Sequence, residues 1–277
     1  MLGGEVFQLD NAGWPLRFAR RGGRSVLGFL EVVRDIGAFS LISVSVTLNK
    51  WRVSPRVMRP LIWEQVHRFG VSLLPMILFL GAALGILIIG QMVSNLTRFG
   101  AQSFIGSVMV TVVVRELGPL LAAMLLLARA GTAIVVELGT SRALGEVEAL
   151  EALAIDPIHY WVVPRMLGLA VSMIGLTVYL ILTAMVCGFL FAFLQDVPMT
   201  PGSYFGQIAA ALRWHDFVLL GLKTGLFGAV IAVVACYEGL AQPLRLEAVP
   251  QATTRAVVRS LGACVALDAV FIIFYLI

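Results

Sequence analysis

The chain has 277 residues, a formal net charge of +4, 60% hydrophobic residues and only 13% charged residues. A typical soluble domain carries about 25% charged residues, and the apolar residues here form blocks too long for one soluble core. These values exclude an ordinary soluble enzyme and predict an integral membrane protein. The first ten residues contain Glu5 and Asp10 but no Lys or Arg, so we expect no cleaved signal peptide.

The first apolar stretch, residues 25–48, differs in kind from the later ones. Glu31, Arg34 and Asp35 interrupt it, and its uninterrupted part is confined to residues 36–49. That part is shorter than the roughly 20 residues that cross a bilayer. Basic residues flank both ends of the stretch. We therefore predict a helix that lies in the membrane interface.

Five later apolar blocks each reach the length of a membrane span. The sequence therefore predicts an all-α integral membrane protein, an N-terminal interfacial helix followed by five spans. We assign residues 1–69 to the N-terminal segment and residues 70–277 to the five-span core of a single domain. Asp156 and Pro157 predict the N-cap and the first helical position of the third span. The predicted spans are residues 71–93, 104–127, 158–194, 217–237 and 257–277.

Lys and Arg are distributed unevenly between the two sides of these spans. Sixteen of the 20 lie before the first span or in the connections from span two to three and from span four to five. Only two lie on the opposite side. Because basic loops stay in the cytoplasm, the N-terminus is predicted to be cytoplasmic and the C-terminus to lie on the far side.

Glycine and proline residues indicate how the spans pack and connect. The motifs Gly81-x-x-x-Gly85 and Gly221-x-x-x-Gly225 provide small-residue faces for close helix contact. The connection at residues 195–215 contains Asp-Val-Pro-Met-Thr-Pro-Gly. We predict an ordinary turn-rich connection there.

Four ionisable residues lie at membrane depth, where one charge costs between about 2.5 and 17 kcal/mol. They are Arg115, Glu116, Lys223 and Asp268, and their formal charges sum to zero. Arg115 and Glu116 lie about 100° apart around one helix, so we expect that they do not both point at the same neighbour. At least one should pair with Lys223 or Asp268. Two interpretations stay open: a buried network that fixes helix register, and a polar site that meets a charged headgroup.

Gly118 and Pro119 directly follow the charged pair. Proline removes a main-chain donor and loosens or kinks a helix. In a transporter, this position is a candidate hinge.

A short amphipathic helix is predicted in the connection between spans two and three. Thr140 or Ser141 is the candidate N-cap, and the apolar residues recur at helical spacing. Acids outnumber bases from residue 142 to residue 156, which is unusual for a cytoplasmic connection. Such a helix, tied between two spans, suits the transmission of motion from a cytoplasmic partner. Its candidate contact residues are Arg142, Leu144, Glu146, Val147, Glu148, Leu150 and Glu151.

A series of short motifs resembles the MlaE-type permeases of phospholipid-transporting ABC systems. They occur in order from about residue 60 to the C-terminus. Each is modest alone, and together they are highly specific. The motifs are Arg115-Glu-Leu-Gly-Pro, Ala128-Arg-Ala-Gly-Thr-Ala-Ile, Glu137-Leu-Gly-Thr, Glu148-Ala-Leu-Glu-Ala-Leu-Ala-Ile-Asp-Pro, Val163-Pro-Arg, Lys223-Thr-Gly-Leu-Phe-Gly, Cys236-Tyr-Glu-Gly-Leu and Ala252-Thr-Thr-Arg-Ala-Val-Val.

The resemblance implies a permease subunit of an ATP-driven phospholipid transporter in the bacterial inner membrane. It implies that two copies enclose a lipid-binding cavity, and that residues matching Arg115, Glu116 and Lys223 function there. The helix at residues 146–153 matches the one that docks on the ATPase. The implied partners are a cytoplasmic ABC ATPase dimer, a STAS-domain protein and a periplasmic MCE-domain assembly, with no nucleic acid.

The chain contains no G-x-x-x-x-G-K-[ST] phosphate-binding loop. ATP and Mg²⁺ are therefore expected on the separate ATPase, and no cofactor is expected on this chain.

Two other functions are compatible with part of the sequence. An ion-coupled secondary transporter could use Glu116 and Asp268 as titrating groups, but the sequence shows no inverted repeat. A membrane enzyme would need a nucleophile or a metal site. His67, His159 and His215 lack metal-ligand spacing, so neither a catalytic nor a metal site is predicted.

Overall fold

The computed structural model describes residues 31–47, 55–98, 104–194, 200–240 and 246–276. All regular secondary structure in these ranges is helical, which confirms the all-α prediction. The chain divides into two units, Met1–Ile42 and Ser43–Ile277. Residues 31–47 form helix α1, within the predicted interfacial helix. The rest of that predicted helix lies outside the described residues, and its position in the interface stays a prediction.

Five helices in the described part of the chain are long and apolar enough to cross a membrane. Their number and order agree with the sequence prediction, and the second continues past Arg129 to Ala143. The assignment of residues 1–69 and 70–277 to one domain stays a prediction. The five helices cover Met58–Ile88, Ile105–Ala143, Ile158–Leu194, Trp214–Leu240 and Leu246–Tyr275.

Most spans combine α-helical segments with short π-helical or 3₁₀ turns. The first contains α2 (Pro55–Gln65), a π turn (Val66–Gly70), a 3₁₀ turn (Val71–Leu73) and α3 (Leu74–Arg98). The second contains α4 (Ile105–Met109), α5 (Gly118–Leu126) and α6 (Thr132–Ala143), separated by π-helical segments at Val110–Leu117 and Leu127–Gly131. After α7 (Glu146–Ala152) come a π turn (Ile158–Val162), α8 (Val163–Leu194), α9 (Pro201–Ala211), α10 (Trp214–Leu240), a 3₁₀ turn (Leu246–Ala248) and α11 (Val249–Leu276).

Helix α8 packs extensively against both α3 and α10. A Cβ atom on Gly81 would lie only 2.7 Å from the carbonyl oxygen of Leu180, and one on Gly85 would collide with the carbonyl of Ala184. The first small-residue motif therefore serves close packing of α3 on α8 within one chain. Gly221, in the second motif, has open space beside it.

The start of the third span agrees with the predicted capping. The Asp156 Oδ1 atom accepts a hydrogen bond from the main-chain N–H of Ile158 at 3.0 Å. Pro157 follows with a helical φ of −61°. A short polar side chain and a proline thus begin this helix as expected.

Helix α9 corrects the prediction for the connection between spans three and four. Thr200 caps it by accepting a hydrogen bond from the main-chain N–H of Ser203 at 3.3 Å, and Pro201 occupies its first turn. The Thr-Pro pair is thus a helix-start signal rather than part of a turn. The prediction of a turn-rich connection is wrong for Pro201–Ala211, and residues 195–199 lie outside the described part.

Candidate functional site

The four ionisable residues predicted at membrane depth come together around Lys223. Its side chain is 0% exposed. Its Nζ atom lies 3.3 Å from Glu116 Oε2 and 2.6 Å from Asp268 Oδ1, and it donates a hydrogen bond to the main-chain carbonyl of Arg115 at 2.8 Å. One main-chain oxygen and two carboxylates thus surround one ammonium group. The expected pairing with Lys223 is confirmed for Glu116.

Pro119 explains why the Arg115 carbonyl is available to Lys223. In a regular α-helix the N–H of residue 119 would bond to the carbonyl of residue 115, but proline has no N–H. The preceding segment is π-helical, and the N–H of Gly118 bonds to the carbonyl of Val113, five residues earlier. A Cβ atom on Gly118 would lie 2.5 Å from that carbonyl. Gly118 and Pro119 therefore mark a break in α-helical hydrogen bonding, and their role as a hinge stays a prediction.

Arg115 pairs with Asp216, which lies outside the predicted set of residues. Arg115 Nε lies 2.9 Å from Asp216 Oδ1, and Nη2 donates to Oδ2 at 3.1 Å. Asp216 also accepts the main-chain N–H of Arg213 at 2.9 Å, at the start of α10. The predicted fourth span began at residue 217 and so excluded Asp216. Its spacing of seven residues from Lys223, two helical turns, was the available signal.

The expectation that Arg115 and Glu116 do not reach the same neighbouring helix is wrong. Their partners, Asp216 and Lys223, lie on one face of α10 at different levels along its axis. Two long side chains can therefore diverge and still contact that helix. The neutral charge balance also does not hold for the whole network, because Asp216 adds a third carboxylate to two cations.

Tyr275 adds an aromatic ring from α11. Its ring centroid lies 5.3 Å from Arg115 Cζ and 5.8 Å from Lys223 Nζ, within the range of a cation–π contact. The Arg115 and Glu116 side chains are partly exposed, at 23% and 30%. These two side chains are therefore accessible at the surface of the chain, whereas Lys223 contacts Glu116 and the main chain of Arg115 from within the protein.

A second network surrounds Glu137 in α6. Its two carboxylate oxygens contact Arg68, at 3.0 Å, and the buried Arg165, at 2.9 Å. Arg68 precedes α3 and Arg165 lies near the start of α8. One carboxylate therefore ties three spans together, which gives the Glu137-Leu-Gly-Thr and Val163-Pro-Arg motifs a shared structural role.

A third network, which we call the Glu238 network, links the end of α10 to α11. Glu238 contacts Arg255 at 3.3 Å and is also paired with Arg259. The neighbouring Gly239 packs close to Leu138, next to Glu137. The Glu137 and Glu238 networks therefore lie at the same end of the spans, the end that leads into α7.

The predicted amphipathic helix is α7, but it starts later than expected. Helix α6 continues through Thr140 and Ser141, so neither residue is the N-cap of α7. The chain instead turns at Gly145, whose φ of 79° lies in the left-handed region that glycine adopts readily. Arg142, in the last turn of α6, lies 3.7 Å from Glu148 and bridges this turn.

The residues of α7 and its flanks differ strongly in exposure. Val147 is buried and Leu150 is half-buried, so these two anchor the helix. Leu144 and Leu153 are 64% and 70% exposed. Three acids are exposed beside these leucines: Glu146, Glu148 and Glu151. The surface therefore combines apolar and acidic groups.

Comparison with known proteins gives the family of this chain. The family model described as Permease MlaE matches residues 62–274. The chain belongs to the MlaE permease family. The matched region contains the Lys223 network except Tyr275, both arginine–glutamate networks, and α7. The resemblance seen in the sequence motifs is thereby confirmed.

Individual relatives of this MlaE-family permease are similar over most of its length. A probable ABC transporter permease protein of Rickettsia felis is 30% identical over 88% of this chain and 92% of its own. The intermembrane phospholipid transport system permease protein MlaE of Haemophilus influenzae is 28% identical, over 89% and 92%. The chloroplastic protein trigalactosyldiacylglycerol 1 of Arabidopsis thaliana is 29% identical, over 76% and 60%. Together with the five apolar helices, the family makes this chain a multi-pass membrane protein.

Proposed function

We propose that this chain is the transmembrane permease subunit of an ATP-driven phospholipid transporter. The observation that carries the proposal is the family match over residues 62–274, which includes both the Lys223 network and α7. The names of the Rickettsia and Haemophilus relatives support an ABC transporter and a phospholipid substrate. In this proposal two copies of the chain enclose the lipid-binding cavity in the bacterial inner membrane, with the N-terminus cytoplasmic and the C-terminus periplasmic.

Helix α7 is the proposed contact for a cytoplasmic ABC ATPase dimer, which binds ATP and Mg²⁺. Exposed Leu144 and Leu153 supply apolar contact area, and the neighbouring acids suit a basic surface. Because α6 leads directly into the turn at Gly145, a displacement of α7 is passed to the second span. A STAS-domain protein and a periplasmic MCE-domain assembly complete the proposed transporter.

The partly exposed pair of Arg115 and Glu116 is the proposed contact for the lipid headgroup. A guanidinium group binds phosphate oxygens well, and the adjacent carboxylate favours a cationic substituent. Lys223 and Asp216 hold the pair from the buried side. The break at Gly118 and Pro119 lies between this site and the part of the helix that leads to α7, where a hinge would couple the two.

Co-purification with a candidate ABC ATPase tests the proposal. ATP hydrolysis by the complex should rise when phospholipid vesicles are added. The double variant Glu148→Lys/Glu151→Lys should abolish ATPase binding, because it reverses two charges on α7. Glu247→Lys, at an exposed position outside α7, is the matched control and should retain binding. Failure of the native chain to bind any ABC ATPase would refute the proposal.

An ion-coupled secondary transporter is the second candidate, and one observation favours it. With Asp216 included, the network holds three carboxylates and two cations, and a proton could balance the surplus charge. Glu116 and Asp268, both in contact with Lys223, would be the titrating groups. Lipid transfer driven by a proton gradient without any ATPase would establish this alternative.

A further inference from the structure

The Glu238 network has more positive charge and more hydrogen-bond donors than it uses internally. One carboxylate, 4% exposed, faces two guanidinium groups, so the network carries a surplus of one positive charge. Two guanidinium groups hold ten N–H donors, against about four lone-pair sites on one carboxylate. Arg255 and Arg259 are 42% and 29% exposed, so unused donors reach the surface.

A shallow, open cleft of about 400 Å³ lies beside these guanidinium groups. All of its lining residues belong to one face of α11, and none of them is acidic. Most of the exposed lining is apolar, and two guanidinium groups, an amide and a hydroxyl group border it. The lining residues are Gln251, Thr254, Arg255, Val258 and Arg259. The cleft is therefore chemically suited to an amphipathic anion, and a phosphate is the natural fit for two guanidinium forks.

The position of the two arginines along α11 favours a lipid over a soluble phosphate. From Arg255 to Leu276 the helix rises about 32 Å, and from Arg259 about 26 Å, at about 1.5 Å per residue. The hydrocarbon core of a bilayer is about 30 Å thick. If the Leu276 end of α11 reaches one interface, both guanidinium groups lie at the other, where lipid phosphates are found.

We propose that Arg255 and Arg259 form a binding site for the phosphate of an anionic lipid headgroup. The site is separate from the Lys223 network, because Glu238 follows Lys223 by fifteen residues on α10, about 22 Å along the axis. Glu238 holds the two guanidinium groups side by side and leaves their outer edges free for phosphate oxygens. A lipid bound here would be a resident lipid at the end of the spans that carries α7.

The test uses the full chain in nanodiscs of phosphatidylcholine containing a minor fraction of phosphatidylglycerol. After gentle detergent extraction, the retained lipids are quantified by mass spectrometry. Phosphatidylglycerol should be enriched over phosphatidylcholine by about tenfold relative to the input, because basic pockets at this depth favour anionic headgroups. Equal retention of the two lipids would overturn the proposal.

A variant at Gln251 tests the site without disturbing buried groups. Substitution of either arginine would leave Glu238 buried with fewer partners, so it is avoided. Gln251→Glu places a carboxylate one helical turn from Arg255, cancels the surplus charge and should reduce the enrichment to about onefold. Ala149→Glu, which adds the same charge at an exposed position of α7 outside the cleft, should keep it. Unchanged enrichment in Gln251→Glu would refute the site.

Soluble glycerol 3-phosphate separates the two possible sources of phosphate. Added to the buffer at millimolar concentration, it should leave the retained phosphatidylglycerol unchanged, because the cleft lies at headgroup depth. Displacement of the lipid by glycerol 3-phosphate would assign the cleft to a soluble phosphate and overturn the lipid assignment.

Discussion

Lys223 donates a hydrogen bond to the main-chain carbonyl of Arg115 at 2.8 Å, where Pro119 removes the donor of the helix itself. A buried carbonyl without a partner is costly, and so is a buried ammonium group. Each satisfies the other here, across two spans. Because the acceptor belongs to the main chain, substitution of the Arg115 side chain does not remove this contact.

Lys223 and Glu116 should differ sharply in their effect on stability. Lys223→Met removes two hydrogen bonds and an ion pair, and it leaves Asp268 buried without its cation. We expect the free energy of unfolding to fall by about 3–5 kcal/mol, as when a buried pair is broken. Glu116→Gln keeps the side-chain shape and removes the surplus negative charge, so a change below about 1 kcal/mol is expected. Denaturant unfolding in detergent measures both, and equal losses would contradict the central position of Lys223.

Asp216 should be coupled energetically to Arg115. Asp216→Asn weakens a bidentate ion pair. We expect it to lower the free energy of unfolding more in the native chain than in a chain that already carries Arg115→Gln. A double-mutant cycle on stability should give a coupling energy of about 1–3 kcal/mol for this pair. Additive effects of the two substitutions would show that the pair is not formed in the membrane.

Gly118 should not tolerate a side chain. In Gly118→Ala the new Cβ would lie 2.5 Å from the Val113 carbonyl and 3.1 Å from Ile181, so a loss of about 1–3 kcal/mol is expected. Gly175→Ala is the matched control, since Gly175 also lies in a span but has open space beside it. That control should be neutral or slightly stabilising, by up to about 1 kcal/mol. Thermal unfolding compares them, and similar destabilisation of both would argue against the close approach at Gly118.

Gly145 should control the orientation of α7. Gly145→Ala forces a side chain into the left-handed region, at a cost of about 1–2 kcal/mol, whereas asparagine adopts that region more readily. We expect Gly145→Ala to reduce lipid-stimulated ATP hydrolysis by the proposed complex, with Gly145→Asn recovering much of the loss. If Gly145→Asn and Gly145→Ala behave alike, backbone conformation at this turn does not set the coupling.

Local signals predicted the parts of this fold that depend on neighbouring residues alone. The Asp156-Pro157 pair located the start of the third span, because both the cap and the proline act within one turn. The same logic failed at Thr140 and Ser141, which are also good caps in isolation. There α6 continues through them, and the turn occurs at Gly145, where a positive φ is needed.

The charge network was only partly predictable, because partner choice depends on how helices are placed. The free-energy cost of a charge at membrane depth drew attention to four residues, and the structure brings all four together. They are Arg115, Glu116, Lys223 and Asp268. Asp216 was missed because it lies in the first turn of α10, just outside the predicted apolar block. To predict Asp216 as a partner, one must know where α10 begins and at which level along α10 the Arg115 side chain lies. Both are properties of tertiary packing.

The two π-helical segments on either side of α5 have a consequence for tolerated sequence length. A π turn contains one residue more than an α turn, and such turns resemble single-residue insertions absorbed by a helix. Deleting one residue within Val110–Val114 would restore regular winding and leave the rest of the span close to its orientation, whereas deleting one residue from a regular α-helix rotates everything beyond it by about 100°. Helix α8 is α-helical without interruption from Val163 to Leu194 and contains no such extra residue. Length variation among homologous chains should therefore concentrate in the π-helical segments of the second span rather than in α8.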